Sequence, residues 1–104
     1  MKILFDQGTP APLRNELVGQ ICSTAHEMGW SDLSNGALLA QAEGSFDLLI
    51  TTDKNLRYQQ NLAGHRLAIL VLPTTSWPKI QLHIPVVVAA VAAIGPGDYR
   101  ELDF

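Results

Sequence analysis

Two short apolar runs in this chain each end on a carboxylate. Lys2-Ile3-Leu4-Phe5 leads into Asp6, and Leu48-Leu49-Ile50-Thr51-Thr52 leads into Asp53. Runs of this kind, bounded by Gly, Pro and Asn, read as buried strands of a parallel sheet. In open α/β sheets, ligands bind beyond the carboxyl ends of the strands. Two aspartates gathered there repel one another unless a cation or a shared proton relieves them, so the pattern points to a divalent-metal site. The plainer role for each aspartate alone is to cap a turn, since Asp6 precedes Gln7-Gly8-Thr9-Pro10 and Asp53 precedes Lys54-Asn55.

A third carboxylate, Glu27, follows another strand expected over residues 20–25. Asp6, Glu27 and Asp53 are therefore the expected metal ligands and catalytic residues, converging at one end of the sheet. Carboxylate oxygens suit magnesium or manganese. The chain has one cysteine, Cys22, and three scattered histidines, His26, His65 and His83, with no zinc spacing. Cys22 reads as a small core residue. Three of the seven basic residues, Lys54, Arg57 and Arg66, follow Asp53 among Tyr58, Gln59, Gln60 and Asn61. Such a cluster holds the phosphates and bases of a single strand, or forms a solvated helix face.

The elements that must position these residues follow from the apolar pattern. After the first strand, Thr9 is expected to cap a helix opening with Pro10 and Pro12, carrying Leu13, Leu17 and Val18 and ending at Gly19. Ser31 to Asn35 is dense in capping residues, and Leu38, Leu39 and Ala42 form a stripe that closes at Gly44. Residues 54–62 have helical character, and Leu67 to Leu72 is an unbroken apolar strand. Residues 76–94 read as a helix interrupted at Pro85, and a terminal strand near Tyr99 to Leu102 adds to the sheet edge. Glu43 and Asp47 read as surface charges, with Asp47 a reserve ligand.

At 104 residues and 47% hydrophobic content, one compact domain over residues 1–104 is expected. A net charge of −3 argues against coating nucleic acid by bulk electrostatics. The apolar stretch from Ile84 to Ile94 falls short of the roughly 20 residues of a membrane span. With no cationic segment ahead of a long apolar run at the start, a cytoplasmic location is the expectation.

Met1 to Asp6, Glu27-Met28-Gly29-Trp30, and Phe46 through Thr51-Thr52-Asp53-Lys54-Asn55 together resemble the short PIN-like domains that occur as toxin components. The resemblance runs nearly the whole chain up to about Leu72 and lies in order and spacing. It implies a three-layer Rossmann-like α/β domain with a mainly parallel central sheet. It also implies divalent-metal-dependent endoribonuclease activity, with Mg2+ or Mn2+ held by Asp6, Glu27 and Asp53. The implied partners are single-stranded RNA and a small antitoxin protein, with no membrane; a homodimer is a further expectation. Asn35-Gly36-Ala37 stands where family members carry an acid at a helix start, and Asn55 stands where an aspartate is frequent. A neutral amide there lowers metal affinity, so the alternative is a catalytically weakened PIN-like scaffold that binds RNA or a protein. A phosphotransfer domain with an aspartate after its first strand ranks third.

Overall fold

The computed structural model describes residues 1–56 and 64–104. Its centre is a five-stranded sheet built from β1 (Lys2–Phe5), β2 (Ile21–Thr24), β3 (Leu48–Thr51), β4 (Ala68–Val71) and β5 (Tyr99–Glu101). Every pairing is parallel and the strand order is β2-β1-β3-β4-β5. The domain is thus α/β, as expected, and its sheet is wholly parallel.

Alternation along the strands divides the core. Ile3, Phe5, Leu48, Ile50, Ala68 and Leu70 face one side, while Leu4, Leu49, Ile69 and Val71 face the other. The first side is covered by a 3-10 helix (Ala11–Glu16), α2 (Trp77–Gln81) and α3 (Ile84–Ala93), the second by α1 (Asn35–Glu43). Because both faces are covered, β3 and β4 are buried throughout, whereas the edge strands β2 and β5 remain largely accessible.

Three local expectations need correction. The segment after β1 is a 3-10 helix, closed by Leu13 N–H to the Pro10 carbonyl at 3.2 Å and Leu17 N–H to the Arg14 carbonyl at 3.3 Å. Its six residues stop short of Val18, which is 88% exposed while Leu13 and Leu17 are buried. Thr9 does not cap it; Pro10 occupies that position, and the Thr9 hydroxyl turns elsewhere. The interruption near Pro85 falls before the proline, between Gln81 and Ile84, which leaves Pro85 in the first turn of α3, where its missing N–H costs nothing. Cys22 is half-buried against the core. The helical segment expected over 54–62 lies, from residue 57 onward, outside the described residues. Among the described residues, no helix is long and apolar enough to cross a membrane.

Candidate functional site

Strand order locates the site. The chain winds from β1 to β2 in one direction across the sheet and from β3 onward in the other, so the winding reverses between β1 and β3. In open α/β sheets with such a reversal, ligands bind in the crevice beyond the carboxyl ends of the two strands that flank it. Phe5 pairs in register with Ile50, which makes Asp6 and Thr51 neighbours at the mouth of that crevice. The Asp6 N–H continues the ladder to the Ile50 carbonyl at 3.2 Å.

Thr51 is 1% exposed, and a hydroxyl so buried requires partners. It donates to Asp6 Oδ2 and accepts the Asp53 N–H at 3.1 Å. One buried hydroxyl thus ties the carboxylate ending β1 to the backbone carrying the carboxylate after β3. Asp6 Oδ1 receives the Thr9 N–H at 3.1 Å and lies 2.8 Å from the Thr9 hydroxyl, which is also 2.9 Å from the Ile50 carbonyl. Asp53 Oδ1 accepts the Asn55 N–H at 2.9 Å. Each aspartate therefore also braces its own turn, the plainer role the sequence allowed.

Asn35 completes the group. Ser34 caps α1 through its hydroxyl, which accepts the Ala37 N–H at 3.3 Å. Asn35, the first helical residue, is thereby available to aim its amide across the crevice, where Nδ2 donates to Asp53 Oδ2 at 2.8 Å. Gly8 closes the other side. A Cβ on it would collide with the Thr52 hydroxyl, so the loops after β1 and β3 meet at a point where only glycine fits without displacement.

Glu27 does not join Asp6 and Asp53. Its carboxylate accepts Arg14 Nη2 at 2.5 Å, Arg14 Nη1 at 3.2 Å and the Thr24 N–H at 2.9 Å, while its own N–H donates to Thr24 Oγ1 at 3.1 Å. This reciprocal Thr24–Glu27 arrangement is a capping box on the turn after β2. The Arg14 hydrogen bonds, aided by the Thr24 N–H, lower the Glu27 carboxyl to about 2. Among the described residues no three His, Cys, Asp or Glu side chains gather to hold a metal, so the expected triad does not assemble.

The remaining expected residues separate. Lys54 is exposed beside Asp53. Arg57 lies outside the described residues, as do Tyr58, Gln59, Gln60 and Asn61. Arg66 precedes β4 and lines a cavity of about 790 Å3 with Lys2, Glu43 and Asp47, at the amino-terminal end of the sheet and opposite Asp6. Asp47 is there too, accepting the Lys2 N–H at 2.7 Å, which removes it as a reserve ligand. Glu43 is no idle surface charge, because it accepts the N–H groups of Arg66 at 2.5 Å and Leu67 at 3.1 Å. That cavity lies away from the carboxyl ends of the strands, where sheet ligands bind.

The sequence reading took Thr9 as a helix cap and Thr51 as part of a strand, and missed their bonds to Asp6. The available signal was a hydroxyl closing an otherwise apolar buried strand, which must find an acceptor once buried. No family model, curated protein or solved structure matches the chain.

Proposed function

We propose that this chain is a divalent-metal-dependent endoribonuclease of the PIN-like kind, acting on single-stranded RNA with Asp6 and Asp53 as its metal ligands. The observation that carries the reading is the Asp6–Thr51–Asp53 linkage at the point where the sheet reverses its winding. Turn-capping accounts for each aspartate separately; it does not account for their being tied together across two strands. The order and spacing that resemble PIN-like domains add the reaction class, and with it a small antitoxin protein as partner.

The donor set fits the metal. Magnesium is held through one or two carboxylates while keeping several waters, and manganese shares its preference for oxygen. Each carboxylate oxygen has two lone pairs, so the hydrogen bonds to Thr9, Thr51, Asn35 and Asn55 leave capacity on Asp6 and Asp53. Such a metal, when bound, polarises a phosphodiester and lowers the pKa of a coordinated water.

The chain's own residues prepare that chemistry. Thr51 fixes the Asp6 carboxylate and the Asp53 backbone relative to one another, and Asn35 orients the Asp53 carboxylate from α1. Asn35 brings no charge, which makes weak activity the expected outcome. Lys54, exposed beyond Asp53, is the cation this reading assigns to an RNA phosphate.

The diversion of Glu27 to Arg14 favours a second reading, a scaffold that binds RNA or a protein without efficient cleavage. Cleavage of an end-labelled single-stranded RNA with manganese titrated separates the two. Weak metal-dependent cleavage by the wild type, lost in Asp6→Asn and raised in Asn35→Asp, supports the nuclease. Cleavage surviving in Asp6→Asn contradicts it, and RNA binding without cleavage in both wild type and Asn35→Asp supports the scaffold.

A further inference from the structure

We infer that the cavity beside Asp6 is a nucleobase subsite in which the indole of Trp77 stacks on one base of the bound strand. The inference rests on the RNA reading and names the recognition it uses. The cavity measures about 600 Å3 and is lined by Asp6, Gln7, Thr24, His26, Thr75 and Trp77, among others. That volume lies within the roughly 300–1,000 Å3 of small-molecule sites.

Its chemistry selects a base over a phosphate. The described lining includes one carboxylate, Asp6, and neither lysine nor arginine, so a phosphate entering it meets repulsion without a compensating cation. A neutral heterocycle meets an indole, an imidazole, hydroxyls and the Gln7 amide instead. Aromatic faces bind unstacked bases, and polar side chains read their edges. Trp77 opens α2, where it is only partly buried against the core beneath it. Gln7, His26 and Thr75 are all exposed, which leaves these polar groups accessible to a ligand.

Asp6 borders the cavity while Asp53 does not, so a base seated on Trp77 lies beside the Asp6 end of the pair. The second tryptophan, Trp30, packs on the opposite sheet face, with its ring 6.0 Å from Phe46 and edge-on to it. The two indoles can therefore be read separately.

The test measures binding of a dye-labelled hexaadenylate by fluorescence anisotropy in EDTA, which removes cleavage from the experiment. Trp77→Leu should weaken binding by about ten-fold, whereas Trp77→Phe, which keeps an aromatic face, should stay within about three-fold of wild type. In Trp30→Phe, where Trp77 is the remaining indole, unlabelled hexaadenylate should quench tryptophan emission in step with the anisotropy. Equal affinity of Trp77→Leu and wild type, unquenched Trp77 emission at saturation, or no binding to the wild type would each overturn the inference. Because metal is absent, a nuclease that fails to cleave leaves these readings intact, and their failure leaves the Asp6–Asp53 metal pair untouched.

Discussion

Thr51, buried at the end of β3, donates its hydroxyl to the carboxylate of Asp6 at the end of β1. The same oxygen accepts the Asp53 N–H, so one side chain links the Asp6 carboxylate to the Asp53 backbone. Sheet register sets Phe5 opposite Ile50, and the Thr51 hydroxyl adds a side-chain link just beyond it.

Thr51→Val keeps the shape and removes the link. It leaves a backbone N–H and a carboxylate each short of a partner, and the expected loss is about 1–3 kcal/mol. Urea denaturation in EDTA measures it, with Thr51→Ser as the variant that retains the hydroxyl and most of the stability. Equal midpoints for Thr51→Val and wild type would show that the link contributes nothing.

Asn35→Asp exchanges a hydrogen-bond donor for a like charge facing Asp53. Since Ser34 provides the helix cap, the change acts on the crevice rather than on the capping of α1. Without metal the variant should lose roughly 1.5–3 kcal/mol, the range of a hydrogen bond to a charged group. Manganese should raise its melting temperature more than that of wild type, because a ligand confined to the native state stabilises by mass action. Thermal scans with and without manganese decide the matter; an equal increment in both proteins would place Asn35 outside the metal's reach.

Glu27 gives the structure a pH signature of its own. Its carboxyl is lowered from 4.5 to about 2, chiefly by Arg14 and then by the Thr24 N–H. A depressed folded-state value means that the contribution is present above about 4.5 and is lost as the pH falls toward 2. The stability advantage of wild type over Glu27→Gln should therefore shrink across that interval. Denaturation midpoints at several pH values measure the advantage, and in Arg14→Met the Glu27 resonance should titrate nearer 4.5. A difference constant between pH 6 and 2 would mean that the Arg14 contact does not form.

Much of this architecture was legible from single residues. The apolar runs into Asp6 and Asp53, the run from Leu67 to Leu72 and the caps around Ser34 all report local chemistry, and strands and α1 follow from them. Thr24-x-x-Glu27 was also a readable capping box, but the approach of Arg14 from the 3-10 helix depends on tertiary packing. Proximity in sequence misled for Arg66, which follows Asp53 by thirteen positions yet sits across the sheet, since a parallel crossover returns the chain to the opposite end. Trp77 carried no signal because its neighbours at the cavity, Asp6 and His26, are remote in sequence.

The central claim is that Asp6 and Asp53 hold one divalent ion between them. Electron paramagnetic resonance of manganese titrated into the protein reads this without any substrate. Wild type should bind a single ion, Asp6→Asn and Asp53→Asn should each weaken that binding by at least about ten-fold, and Glu27→Gln should leave it unchanged. Wild-type affinity in Asp53→Asn, or loss of binding in Glu27→Gln with Asp6 and Asp53 intact, would contradict the account.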